Sequence, residues 1–219
     1  EQVDQPRWAI SRVRADCLQA LGEAELLKQE ETRLADLPAN SALDFRAKYY
    51  IASNQGNLKG QPGRFDGAID YLQRALEEEP NDYLTLLNLA ALHSRLGQIG
   101  SNRDETARGI ESCEQAIRLR PGESRPYALK ADLLVQLGNY DEAISQLEKA
   151  ESRNPSDFYI FLSRGKLFLS QAAQINQRRA NSSQLRAKEK LIDQAIDQMV
   201  EQNTLAVVEG AARLLAKIF

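Results

Sequence analysis

Histidine, methionine and tryptophan occur once each in 219 residues, and cysteine only twice. Each scarcity removes a class of chemistry. With one imidazole, His93, and no paired cysteines, no ligand set for a structural or catalytic metal can be assembled. The same lone imidazole leaves one possible base for a Ser–His or Cys–His nucleophile. Its setting on a predicted helix reads as a packed histidine. Cys17 and Cys113 are too few to staple a chain of this size, and each sits among apolar residues at helical spacing, so both read as buried reduced thiols. Gly97-Gln98-Ile99-Gly100-Ser101 lacks the Gly-Lys-Ser/Thr of a phosphate loop. No apolar run approaches the roughly 20 residues of a membrane helix. No charge of one sign dominates either: 28 Lys and Arg stand against 31 Asp and Glu, a net charge of −3, which gives no global footprint for nucleic acid. The expectation is a chain with no cofactor, no metal, no nucleic-acid partner and no membrane insertion, and with no enzymatic activity. Glu1 in first position, with Met199 the sole methionine, predicts a processed chain or a part of a longer one. A cytoplasmic location is expected, with periplasmic or secreted placement left open.

What the sequence does contain is self-similarity at a fixed period. Phe65-Asp66-Gly67-Ala68-Ile69-Asp70-Tyr71-Leu72-Gln73-Arg74-Ala75-Leu76 runs to Pro80, Gly109-Ile110-Glu111-Ser112-Cys113-Glu114-Gln115-Ala116-Ile117 to Pro121, and Tyr140-Asp141-Glu142-Ala143-Ile144-Ser145-Gln146-Leu147-Glu148-Lys149-Ala150 to Pro155. The prolines are 41 and 34 residues apart, and Gly22, Gly56, Gly97 and Gly138 follow at intervals of 34, 41 and 41. Small residues (Ala68, Ala75, Ala116, Ala131, Ala143, Ala150) recur where two helices must approach, and large apolar residues lie three and four positions away. Glycine suits the left-handed end of one helix and proline stops the next. A single helix pair cannot bury its apolar face, so neighbouring pairs must stack.

These residues resemble the tetratricopeptide repeat, a 34-residue helix–turn–helix unit. Ser124 to Asp157 matches best, with Tyr127, Ala131, Gly138, Tyr140, Ala143, Leu147, Ala150 and Pro155 in phase. Leu86-Leu87-Asn88-Leu89-Ala90 fits the first helix of the preceding unit, and Phe161, Gly165 and Phe168 that of a following one. The resemblance implies an all-α fold, a right-handed superhelical solenoid of antiparallel helix pairs. The expected organisation is a degenerate helix pair at 1–41, three repeats at 42–82, 83–123 and 124–157, and a fourth degenerate repeat with a C-terminal packing helix at 158–219. Trp8, Val13, Leu18 and Leu21 are expected inward in the first pair.

Two repeats carry seven extra residues. The insertion around Asn57 to Pro62 reads as a loop. The one within Gln98 to Arg108 shows Ser101 and Asp104 as a capping signal, predicting a second helix lengthened by a turn or two. The segment with Arg178, Arg179, Arg186, Lys188 and Lys190 reads as a solvated loop and helix start, with contact to an acidic surface left open.

The resemblance also implies a concave groove lined by the first helix of each pair. Projecting the helical period places Arg46, Tyr50, Asn88, Arg95, Arg125, Asp132, Gln136 and Lys166 beside it. Some family members clamp a partner's carboxylates there. Arg46, Asn88 and Arg125 fall at three of the five clamp positions if the first repeat is phased on Phe45, whereas Tyr50 and Leu129 break the set. The implied function is a non-catalytic scaffold for a protein or peptide segment. Cations outnumber the anion in the groove set, so an acidic segment is expected. A sensor or oligomerisation region of a larger enzyme or signalling protein is the competing reading.

Overall fold

The computed structural model describes residues 14–15, 17–18, 20–36, 38–46, 48–49, 52, 66–175 and 181–200. Among these residues there is no strand. The helices are α1 (Ala24–Asp36), α2 (Asp66–Glu78), α3 (Tyr83–Gly100), α4 (Arg103–Leu119), α5 (Arg125–Leu137), α6 (Tyr140–Glu151), α7 (Phe158–Gln174) and α8 (Ser182–Val200). Further helical residues lie at 42–46, 48–49 and 52. The chain divides into two compact units, 1–101 and 102–219, and the division falls between α3 and α4.

In the first unit, Ala68, Leu72 and Ala75 form a buried stripe along α2 at helical spacing. It packs with Tyr49 and with Leu89, Leu92 and Leu96 of α3. His93 is buried, as its setting in the sequence indicated. Asp82 starts α3. Its carboxylate accepts from the amides of Leu84 and Thr85, the hydroxyl of Thr85 and the guanidinium of Arg46. One side chain therefore both caps a helix and ties it to the helical residues at 42–46.

Four expectations change in these regions. Leu21 is 75% exposed, and Cys17, one turn earlier on the same face, is exposed as well. Leu18, also expected inward, is half-buried. Gly97 does not close its helix: α3 continues to Gly100, and Ser101 takes the left-handed conformation (φ 48°) with its amide bonded to the Gly97 carbonyl. The cap of α4 is Asn102, not Ser101; its side-chain oxygen accepts from the Asp104 and Glu105 amides at 3.0 and 3.4 Å. The inserted residues lengthen both helices at this junction: α4 has 17 residues against 12 in α6, as expected of the second helix, and α3 has 18 against 13 in α5, because the left-handed stop is displaced to Ser101. Trp8, Val13, Gly56, the Asn57–Pro62 loop and the C-terminal packing helix lie outside the described residues.

In the second unit the repeat is regular. Pro126 sits in the first turn of α5, where its missing N–H costs nothing. Gly138 (φ 82°) ends that helix. Its amide bonds the Val135 carbonyl at 3.0 Å, and the Asn139 amide bonds the Leu134 carbonyl at 2.9 Å. This pair of bonds satisfies two carbonyls that the helix end would orphan. Helices α5 and α6 then close on Ala131, Ala143 and Ala150, all fully buried, with Tyr127, Leu134 and Leu147 around them and Ile160 and Leu167 of α7 above. Full burial of each large aliphatic side chain contributes about 1.5–3 kcal/mol, and the alanines let the backbones approach closely enough for it. The spacing between pairs is fixed at Pro121. Its carbonyl accepts from the Tyr127 hydroxyl at 3.1 Å and from Arg153 Nε at 2.6 Å, while the Arg153 guanidinium lies 3.9 Å from the centre of the Tyr127 ring. Cys113 is buried, and burial pushes its thiol well above the ordinary range, so it is inert.

Candidate functional site

In the second unit, α5 and α7 are the first helices of successive pairs, and side chains one repeat apart meet across them. The Arg125 guanidinium lies over the Tyr159 ring, 4.6 Å from its centre. The Ser163 hydroxyl donates to the Ala128 carbonyl at 3.4 Å. Lys166 Nζ pairs with Asp132 Oδ2, its partner 34 residues away. At the head of the two helices, Ser124 Oγ donates to Asp157, whose other oxygen caps α7 through the Tyr159 amide at 3.0 Å. The result is a ladder: cation on aromatic at the first rung, hydroxyl on backbone at the second, ion pair at the third. Gln136, one turn past Asp132, accepts from the Thr106 hydroxyl at 3.4 Å.

The groove residues named from the sequence separate between the two units. Arg125, Asp132, Gln136 and Lys166 belong to the second, and Asp132 and Lys166 are in direct contact. Arg46, Asn88 and Arg95 belong to the first. Arg46 is committed to Asp82, with Glu79 at 3.9 Å; Asn88 is half-buried and Arg95 exposed. Tyr50 lies outside the described residues. Tyr159, Ser163, Thr106 and Asp82 were not selected from the sequence. The signal for Tyr159 was present, since adding one 34-residue period to Arg125 lands on it. Asp82 carried a signal too, as an aspartate two residues after a helix-stopping proline.

The electrostatics differ from a simple count of charges. Lys166 is matched by Asp132 and Arg46 by Asp82. Burial pushes the Asp82 carboxyl up, but the Thr85 hydroxyl and amide and the Arg46 guanidinium outweigh it, so its pKa lies below 3.8. Exposed positive charge is contributed by Arg125 and Arg95. Asp132 Oδ1 is buried and accepts no hydrogen bond. Among the described residues, no group of three His, Cys, Asp or Glu side chains could hold a metal ion, and no helix is long and apolar enough to cross a membrane. In the predicted basic segment, Arg186 and Lys190 are exposed on α8 and Lys188 is half-buried; Arg178 and Arg179 lie outside the described residues.

The family model of the TPR repeat matches residues 131–172, which run from the middle of α5 through α7. Over these residues the chain carries the tetratricopeptide repeat (TPR). Its fold is that of TPR structures: a thermophilic TPR protein from Thermus thermophilus superposes with a TM-score of 0.63 at 17% identity, over 95% of this chain and 99% of that one. MamA of AMB-1 superposes with a TM-score of 0.51 at 12% identity, over 92% and 95% of the two chains. Among curated proteins, the interferon-induced protein with tetratricopeptide repeats 2 of Cricetulus griseus is 27% identical over 153 residues, covering 69% of this chain and 31% of that protein. The Hsp70-Hsp90 organizing protein 3 of Arabidopsis thaliana is 24% identical over 142 residues, covering 65% and 23%. The TPR chain thus spans less than a third of the length of these relatives.

Proposed function

We propose that this TPR chain is a non-catalytic scaffold that holds a protein or peptide segment on the face formed by its first helices. The α5–α7 ladder carries the reading. Its rungs are already bonded to one another, so the surface is set before a ligand arrives and little side-chain entropy is lost on binding. Tyr159, 42% exposed, supplies an amphipathic ring, and Arg125 beside it supplies a planar cation. A relative named for organising Hsp70 and Hsp90 supports protein binding as the class of activity. The segment we infer is acidic. With Lys166 matched by Asp132, the attraction rests on Arg125, and it weakens as salt screens exposed charge. Both cysteines are free, one of them exposed, in keeping with a reducing cytoplasmic setting.

The test starts with a partner recovered on the immobilised wild-type chain. Arg125→Ala with Tyr159→Ala should lower its affinity about tenfold or more, the loss expected of one hot-spot pair, with helicity unchanged. Unchanged affinity at both low and high salt would remove this face from consideration.

A further inference from the structure

Helices α3 and α4 are separated by two residues, Ser101 and Asn102, and the chain divides into its two compact units between them. The junction of α5 with α6 has the same form: Gly138 in the left-handed conformation (φ 82°), then Asn139, then the next helix. There the left-handed residue is a glycine, which adopts that conformation without strain. At the α3–α4 junction it is a serine, with φ 48° and ψ 36°. Among the described residues Ser101 is the only non-glycine with positive φ. A left-handed backbone pushes Cβ against the following carbonyl oxygen, so Ser101 holds strain that Gly138 does not.

Little else opposes a continuous helix through this junction. No proline occurs between Tyr83 and Leu119. Gly97 and Gly100 stand inside α3 and Gly109 inside α4, so the glycines of the region are already helical. Asn102 caps α4 through bonds of 3.0 and 3.4 Å. A continuous helix would replace them with backbone bonds between the last carbonyls of α3 and the first amides of α4. Residues 98–104 are all exposed, so turning Ser101 and Asn102 into the right-handed region disturbs no packed side chain at the junction itself.

We propose that the α3–α4 junction is a hinge: Ser101 and Asn102 turn right-handed, residues 83–119 become one helix, and two such extended chains pair as an exchanged dimer. The choice of partner follows from the geometry. Any apolar surface that one chain uncovers on straightening is matched by the corresponding surface of a second copy, which is why short, strained connections lead to exchange between identical chains. The hinge does not depend on the α5–α7 face and stands or fails separately from it.

The experiment uses the full chain, unfolded in urea and refolded at its highest soluble concentration, then separated by size with light scattering on the eluate. Wild type should give a monomer and a dimer that interconvert slowly on dilution. Ser101→Gly removes the strain of the left-handed stop and keeps the stop. It should weaken dimerisation about fivefold for each hinge, hence about 25-fold for the two hinges of a dimer. Ser101→Ala, a better helix former that keeps the strain, should strengthen it. Nitroxides on Leu84→Cys and Arg118→Cys, both exposed positions, report on the hinge in a Cys17→Ser background, where the remaining Cys113 is buried. Diluted into unlabelled chain, the dimer fraction should show a spin–spin distance of about 51 Å, the rise of an unbroken helix from 84 to 118 at about 1.5 Å per residue, and the monomer fraction should lack it. A chain that stays monomeric overturns the proposal. So does a dimer without that distance, which would be a contact between unopened chains, or a Ser101→Gly variant that dimerises as tightly as wild type.

Discussion

Replacing Lys166 with methionine tests whether the third rung of the ladder holds the fold or only decorates it. The substitution keeps most of the aliphatic stem and removes the ammonium. Asp132 then keeps its charge at 11% side-chain exposure, with Oδ2 stripped of its donor and Oδ1 already lacking one. Removing one partner of a fully buried pair costs about 3–5 kcal/mol, whereas exposed pairs are worth about 0.2–1 kcal/mol. Lys166 is 33% exposed, so some water reaches the gap. The expected loss for Lys166→Met is therefore about 2 kcal/mol. Asp132→Asn should cost less, about 1 kcal/mol, because the orphaned ammonium can turn to solvent. The double variant Asp132→Leu, Lys166→Met leaves no charge stranded and should lie within about 1 kcal/mol of wild type. Urea denaturation followed by far-ultraviolet circular dichroism gives all three values and the coupling between them. If Lys166→Met were as stable as wild type, or the double variant as unstable as Lys166→Met alone, the desolvated-carboxylate argument would be refuted.

Gly138→Ala should destabilise by about 1 kcal/mol, since its site has open space for a methyl but demands φ 82°, while Gly122→Ala, equally open and without a positive φ, should be neutral or slightly stabilising. Paired thermal melts decide this. Ala143→Leu forces three extra carbons into a fully buried helix contact and should cost about 1–3 kcal/mol in the same denaturation assay. Asp82 has a folded pKa below its unfolded value of 3.8, so its contribution is complete above that value and is lost as pH falls through the folded pKa. Asp82→Asn should therefore reduce stability at pH 6 and flatten its decline below about pH 4, which denaturation at a series of pH values reports.

Most of the second unit was legible because each signal there is local. Tyr127, Gly138, Ala143 and Ala150 each answer to a steric or dihedral demand within one or two turns. The junction near Gly97 was not, because a glycine can end a helix or be carried inside one. The choice falls to Ser101 and Asn102, whose caps compete at adjacent positions. Leu21 and Cys17 were placed on the wrong face since a short stripe of few apolar residues fits two phases of the helical period. The ladder was half legible. Arg125, Asp132 and Lys166 follow from projection of one helix, but their pairing depends on the 34-residue offset between helices, which also yields Tyr159. Pairing then alters the charge reading, because a count of cations does not say which ones already hold a carboxylate.

The central claim is that partners are held on the first-helix face. A photo-crosslinking residue placed at Tyr159, 42% exposed on α7, can be compared with one at Ile144, 40% exposed on the second helix α6. Matched exposure removes accessibility as an explanation of any difference. The account predicts crosslinks from position 159 to a partner, competed by unlabelled wild-type chain and weakened by salt, and none from position 144. Equal capture from both positions, or capture from 144 alone, would contradict it.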